Sequence, residues 1–414
     1  MGNYRIADIE LSESGNNKIE WAWESMPVLK SIRDSQISLQ PFKDLTIAAC
    51  LHLEAKTACL LEVLAQLGAT VVATGSNPLS TQDDVCAGLV SSGVNVFSHR
   101  GMSTSEYFAN LRTALDFHPD IVIDDGADMI ALLHKEMPHL IRSVLGGSEE
   151  TTTGVNRLKA MEADDALKIP VIAVNDAKSK YLFDNRYGTG QSVLDGVMRT
   201  TNHLIAGKSV VVAGYGWCGR GVALRASAFG ARVIVVEVDP HRAFEAVMDG
   251  YEVMSMDMAA SRGDIFLTLT GNTDVLRKEH FKVMKDGALL GNAGHFDVEI
   301  NKQDLEDIAV SKRSLKPNIE TYKLENGRNL HLLAEGRLVN LAAGDGHPVE
   351  IMDLSFALQL ESAIRLTRES LSPGVYNVPS DIDRKIMEVK LGSMNIKLEK
   401  LTPAQELYLK SWSE

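Results

Sequence analysis

The sequence predicts an α/β fold of two doubly wound parallel-sheet domains with a short helical C-terminal tail. Three observations carry that prediction. Two separate series of short apolar runs alternate with segments of helical periodicity, the signature of βαβ units with helices on both faces of a parallel sheet. A G-x-G-x-x-G stretch (Gly214, Gly216, Gly219) closes one apolar run and opens a helix. From Pro348 onward the strands give way to long helical segments.

The first series begins with "LTIAACL" (residues 45–51), a buried-strand run. A helix follows in which Leu60, Leu61, Leu64 and Leu67 recur at helical spacing and Gly68 is the stop. "ATVVAT", "VNVFS", "DIVIDD" and "PVIAVND" are the next strands. Ligands of such sheets bind beyond the carboxyl ends of the strands. The residues there are polar: His52, Ser76-Asn77, Asp124-Asp125 and Asn175-Asp176. A lone strand-end histidine is usually a solvated loop residue, but four polar ends on one edge point to a site. In "GGSEETTTG", Glu150 precedes Thr151, Thr152 and Thr153, whose hydroxyls and backbone N–H groups suit a polar ligand; the plainer reading of the threonines is a loop turn. "NDAKSKYLFDNRYGTGQS" reads as a solvated helix start or, because it leads into the second series, as an interdomain hinge. It carries Lys180, Asp184 and Asn185, and clefts between domains are where substrates bind.

The second series runs "SVVVAGYG", "RVIVVEVD", "DIFLTLTG", "GALLGNAG" and "LHLLAEG", with a hairpin turning at Asn326-Gly327. "EIMDLSFALQLESAIRL" and "SDIDRKIMEVKLGSM" are helices expected to pack back on the first domain, and "LTPAQELYLKSWSE" is an amphipathic tail. The expected division is residues 1–185 with 346–390, residues 186–345, and a tail over 391–414.

Composition bounds the partners. A chain of 414 residues, 45% hydrophobic and 23% charged, is long enough for two separate cores. A net charge of −13 without a Lys/Arg block argues against nucleic acid. Cys50, Cys59, Cys86 and Cys218 form no C-x-x-C pair and no metal-ligand spacing, so reduced thiols, no metal and a cytoplasmic protein are expected. The N-terminus lacks the apolar region of a signal peptide, and no run is long enough to span a membrane.

The glycine fingerprint has a defined chemistry. Gly214 permits the tight turn, Gly216 admits a pyrophosphate against bare backbone, and Gly219 lets helix and strand pack closely. Cofactor contacts are expected from Gly214 and Gly216 through Trp217, Cys218, Gly219, Arg220 and Gly221. Glu237 ends the next strand, where it accepts from ribose hydroxyls and repels a 2′-phosphate. NAD is therefore favoured over NADP, with only the nearby Arg242 speaking for the latter. A plain dehydrogenase of a small hydroxy acid is the obvious reading, but it leaves the first 200 residues idle.

The hinge stretch, "EETTTG", "GNAGHFDVEI" and "LLAEGRLVNLAAGDGHP" resemble the S-adenosylhomocysteine hydrolases (adenosylhomocysteinases) along essentially the whole chain. "HLEAKTA", "GSNPLSTQDDV" and "AGYGWCGRG" are similar to the compact archaeal and thermophilic-bacterial branch. The resemblance implies reversible cleavage of S-adenosylhomocysteine to adenosine and homocysteine. The route is 3′-oxidation with bound NAD, C4′ deprotonation, elimination, water addition and re-reduction. It also implies a homotetramer.

By that match Lys180 is the 3′-hydroxyl base, its pKa lowered by desolvation and the nicotinamide charge. Asp184 holds the ribose hydroxyls, Asn185 orients Lys180, and Glu150 binds ribose. Asp125 and His52 flank C4′ and C5′, while His295 and His347 close around the sugar and the amino-acid tail. Thr151 to Thr153, Asn272, Ala293, Gly294, His295 and Asn340 line the nicotinamide half. Domain closure about hinges near residues 179–185 and 344–348 would keep water out until elimination is complete.

Three departures from the larger relatives stand out. Thr189 replaces a frequent cysteine near the nicotinamide. The Lys/Tyr tail that reaches a neighbouring subunit's NAD is missing, so looser NAD binding is expected. Glu54 and Lys56, followed by Thr57, stand where Thr and Glu meet the adenine edge. Lys56 donating to O6 and Glu54 accepting from N1–H would suit an inosine-type substrate. A silent NAD-binding homologue is the remaining alternative, but it would have lost site residues.

Overall fold

The computed structural model describes residues 2–412; residue 1 and the last two residues of the expected tail lie outside it. The first seven strands are β1 (Tyr4–Arg5), β2 (Thr46–Leu51), β3 (Thr70–Gly75), β4 (Asn95–Phe97), β5 (Ile121–Asp124), β6 (Gly146–Glu149) and β7 (Pro170–Ala173). The next eight are β8 (Ser209–Ala213), β9 (Arg232–Val236), β10 (Glu252–Val253), β11 (Ile265–Thr268), β12 (Ala288–Asn292), β13 (Ala309–Lys316), β14 (Ile319–Leu324) and β15 (Asn329–Leu333). β16 (Gly374–Asn377) returns to β7.

They form two eight-stranded sheets, ordered β1-β4-β3-β2-β5-β6-β7-β16 and β10-β9-β8-β11-β12-β15-β14-β13. The first sheet is parallel throughout. The second is parallel except for β14 and β13, which add an antiparallel edge. The hairpin expected at Asn326-Gly327 joins β14 to β15, and Gly327 takes the positive φ of 83°.

Both faces of each sheet are covered, and the alternation of side chains explains how. In β2, Ile47, Ala49 and Leu51 enter one core, while Ala48 and Cys50 enter the core on the opposite face. In β8, Val210 and Val212 separate in the same way from Val211 and Ala213. The helix Val349–Arg368 packs Leu354, Phe356, Leu358 and Leu360 into the first sheet's core. Its buried Asp353 accepts from the N–H groups of Val28 (3.2 Å) and Leu29 (2.9 Å) and from Lys390 Nζ (3.0 Å). The chain thus returns to the first sheet after the second is complete. Residues 403–410 form the exposed helix Pro403–Lys410.

One expectation changes, and one strand is added. The threonines are not a loop turn: Thr151 caps the helix Thr152–Ala163 and accepts from Gly154 N at 3.0 Å. "GGSE", absent from the expected strands, is β6, bonded between β5 and β7. Two glycines and a serine carry little strand propensity, so tertiary pairing decides.

Strand order reverses between β2 and β5 in the first sheet and between β8 and β11 in the second. Those are the topological switch points at which such sheets bind ligands. A cavity of about 880 Å³ is lined from both.

Candidate active site

β2 delivers His52 and β5 delivers Asp125 to the first switch point, so the two side chains meet. His52 Nε2 lies 3.1 Å from Asp125 Oδ2. His52 Nδ1 lies 2.7 Å from Ser80 Oγ and 3.1 Å from Ser76 Oγ, and Ser76 donates to Asp125 Oδ2 at 3.2 Å. Burial lowers the pKa of His52 despite the carboxylate beside it, so the ring is neutral. A carboxylate only accepts, which puts the ring hydrogen on Nε2. Asp125 Oδ1 is buried with no hydrogen-bond partner. His295 Nδ1 stands 3.9 Å from it. Gly126, at φ +109°, leaves room for this: a Cβ there would lie 2.3 Å from His295 Nε2.

The second cluster comes from the segment after β7. The short helix Lys178–Tyr181 runs into a π-helical turn, Asp184–Gly188. Lys180 Nζ lies 2.5 Å from Asp184 Oδ2, 3.0 Å from Asn185 Oδ1, 3.4 Å from Asn175 Oδ1 and 3.5 Å from Glu150 Oε1. Asp184 is also bonded to His347 Nδ1. Burial alone would lower the pKa of Lys180, but Asp184 and Glu150 outweigh it and hold it above its usual value. The expectation of a depressed lysine is thus reversed in the free protein. Burial works on Asp184 in the opposite sense, yet Lys180 and His347 keep its carboxyl well below the carboxylate range. Burial pushes Glu150 up to about 7, against the pull of Lys180.

The nucleotide side is built from β8, β9, β11 and β12. Gly214 has φ +97°, and a Cβ on Gly219 would sit 1.9 Å from the Gly214 carbonyl oxygen. The helix Trp217–Ala228 starts at Gly216 without a side-chain cap, so its first N–H groups are left for an anion. In front of Gly216 is open space, with only Arg242 Nη1 at 3.9 Å. Glu237 is fixed by accepting from the N–H groups of Tyr215 (2.6 Å), Val238 (2.7 Å) and Asp239 (3.0 Å). Capless helix start, bare glycine and strand-end carboxylate fit NAD. Replacing Gly219 by alanine should weaken NAD binding about tenfold to hundredfold, since overpacking costs about 1–3 kcal/mol. Titrating NAD into the stripped protein measures it; unchanged affinity refutes the close-packing account.

The cavity gathers most of the expected residues. On the substrate side it is lined by His52, Glu54, Thr57, Asp125, Glu150, Lys180, Asp184, Asn185, His295 and His347. On the cofactor side it is lined by Thr151, Thr152, Thr153, Gly214, Gly216, Trp217, Cys218, Glu237, Arg242, Asn272, Ala293, Gly294 and Asn340. Four residues do not reach it. Gly219 and Gly221 pack against the carbonyls of Gly214 and Arg186. Arg220 lies over the Trp217 ring, 5.0 Å from its centroid, and pairs with Glu245. Lys56 is taken by Glu54 Oε2 (2.7 Å) and by the Asp345 carbonyl (2.6 Å).

Other contributors were not singled out from the sequence. Glu299 accepts from Thr270 N (3.0 Å), Thr270 Oγ1 (2.7 Å) and Gly271 N (2.8 Å), shaping the loop before Asn272. Arg157 binds the Gly126 carbonyl and Asp128 Oδ1 (2.8 Å) while lying 5.7 Å over the Phe296 ring, so it joins the two sides of the cavity. Gln359 reaches Glu150 from the helix Val349–Arg368. The family motifs around these residues were visible, but their partners lie too far along the chain to be paired by spacing.

The model of the S-adenosyl-L-homocysteine hydrolase family matches residues 3–143, and that of the family's NAD binding domain matches residues 185–346. An S-inosyl-L-homocysteine hydrolase of Methanopyrus kandleri is 57% identical over 100% of this chain and 98% of its own. An adenosylhomocysteinase of Thermococcus kodakarensis is 58% identical over 99% of this chain and 98% of its own. With both halves matched and identity sustained from end to end, the chain belongs to the S-adenosyl-L-homocysteine hydrolase family.

Proposed function

We propose that the protein catalyses the reversible hydrolysis of S-adenosyl-L-homocysteine to adenosine and L-homocysteine with NAD bound. One observation carries this: the Lys180 cluster and the His52–Asp125 pair share a single cavity with the glycine fingerprint. A hydroxy-acid dehydrogenase has no use for two separate proton-handling clusters.

When bound, NAD supplies reversible hydride acceptance at the ribose 3′ carbon, and the resulting ketone acidifies C4′–H. In the proposed roles Lys180 takes the 3′-hydroxyl proton, for which it must first be neutral. Glu150 Oε1, 3.5 Å away and near pKa 7, is the acceptor within reach. Ionised Asp184 accepts from the ribose hydroxyls, and Asn185 holds the lysine in line. Asp125 Oδ1, the buried oxygen without a partner, is the base at C4′. His52 Nε2 serves the proton of the leaving sulfur and of the incoming water at C5′. His295 and His347 close over the sugar, and the Arg157–Phe296 contact keeps water out.

The proposal places residues 1–185 and 346–390 in the substrate domain and residues 186–345 in the NAD domain. It includes a homotetramer, supported by exposed apolar side chains such as Phe244, Leu407, Leu409 and Trp412. Among the described residues no helix is long and apolar enough to cross a membrane; a cytoplasmic location belongs to the same proposal.

A second reading concerns the purine. Glu54 lines the cavity, and a carboxylate accepts from the N1–H of hypoxanthine but meets only an acceptor at N1 of adenine. Lys56 supports it less, its ammonium being taken by Glu54 and the Asp345 carbonyl. The test is kcat/KM for adenosine and inosine in the synthesis direction with homocysteine. Adenosine ahead by tenfold or more supports the first reading, and inosine ahead supports the second. No thioether product from either nucleoside, or net release of NADH, overturns both.

A further inference from the structure

Gln359 lies fully buried in the helix Val349–Arg368, one turn beyond Phe356, which lines the cavity. A buried amide needs partners at both ends. Ser148 Oγ donates to Gln359 Oε1 at 2.6 Å, which fixes the amide's orientation and turns its N–H₂ toward Glu150. Gln359 Nε2 donates to Glu150 Oε2 at 2.5 Å. That leaves Glu150 Oε1 as the free oxygen, and it is the one 3.5 Å from Lys180 Nζ. Ser148 sits in β6 two positions before Glu150, so the strand fixes the amide on the helix and the amide in turn holds the carboxyl.

We infer that Gln359 is a positioning residue for the reaction, which holds the Glu150 carboxyl with one oxygen presented to Lys180 and sets how readily that carboxyl takes a proton. This rests on the function proposed above. The charged groups facing Glu150 are Lys180, Asp184 and Asp125. Among the described residues the amide is the one neutral side chain that donates to it, and a hydrogen bond to the charged form favours that form. Lost, it leaves Glu150 binding its proton more tightly, and Lys180 sees less negative charge.

The experiment compares wild type with Gln359→Met and with the milder Ser148→Ala, which frees the amide to turn. The readouts are thermal melting, the pH profile of kcat/KM for thioether synthesis, and the absorbance of bound reduced nicotinamide on adding the preferred nucleoside. In Gln359→Met the acid limb should move about one unit to higher pH, with kcat down about tenfold and KM for homocysteine within twofold. Ser148→Ala should shift the limb in the same direction by less. Profiles that superimpose on wild type, with activity following melting temperature alone, overturn the inference and make Gln359 a packing residue. A wild type without activity toward either nucleoside overturns the function instead, so the two failures are distinct.

Discussion

Exchanging Lys180 for methionine is expected to lower turnover by about 10³-fold while NAD stays bound. Methionine keeps an unbranched side chain of nearly the same length and removes the amine assigned to take the 3′-hydroxyl proton. Asp184 and Glu150 then lose the ammonium between them. Glu150 responds by binding a proton, since Lys180 is the neighbour that pulls its pKa down most. Folding should therefore survive, because a buried carboxyl that can neutralise costs less than a buried charge. The measurement is absorbance of bound reduced nicotinamide after adding nucleoside, which should fail to appear. Turnover within tenfold of wild type would sink the assignment of Lys180 as base.

Asp125→Asn should cut turnover by about 10²–10⁴-fold, and it should do so at a different step. The amide oxygen still accepts from His52 Nε2 and Ser76, so the strand end keeps its shape. No basic oxygen remains at the Oδ1 position. Reduced nicotinamide should still form on the enzyme, but exchange of the C4′ hydrogen with deuterated solvent, followed by proton NMR, should vanish. Persistent exchange would move the C4′ base to another group, with His52 first in line at 3.1 Å from Asp125.

The parts that sequence made legible are those with local causes. Strands rich in Val and Ile, the glycine fingerprint and the hairpin at Asn326-Gly327 follow from propensity and turn chemistry over a few residues. Lys180, Asp184 and Asn185 stood out through their spacing. What stayed hidden depends on residues remote in the chain. β6 is a strand because β5 and β7 flank it, not because Gly-Gly-Ser-Glu prefers to be one. Gln359 meets Glu150 across 209 positions. The charge state of Lys180 went the other way for the same reason: burial could be anticipated, but Glu150 arriving from the end of β6 beside Asp184 could not.

The bond between Asp184 and His347 ties together the two places where the chain crosses between the sheets, one after β7 and one just before the helix Val349–Arg368. If the sheets rock about that shared point, displacement grows with distance from it, and the Lys180 cluster, which contains Asp184, hardly moves. That cluster would then sit at the still centre of the motion and keep its alignment between turnovers. Opening would work as a wide mouth on a fixed jaw joint, admitting and releasing a whole nucleoside without the proton-handling atoms having to find one another again.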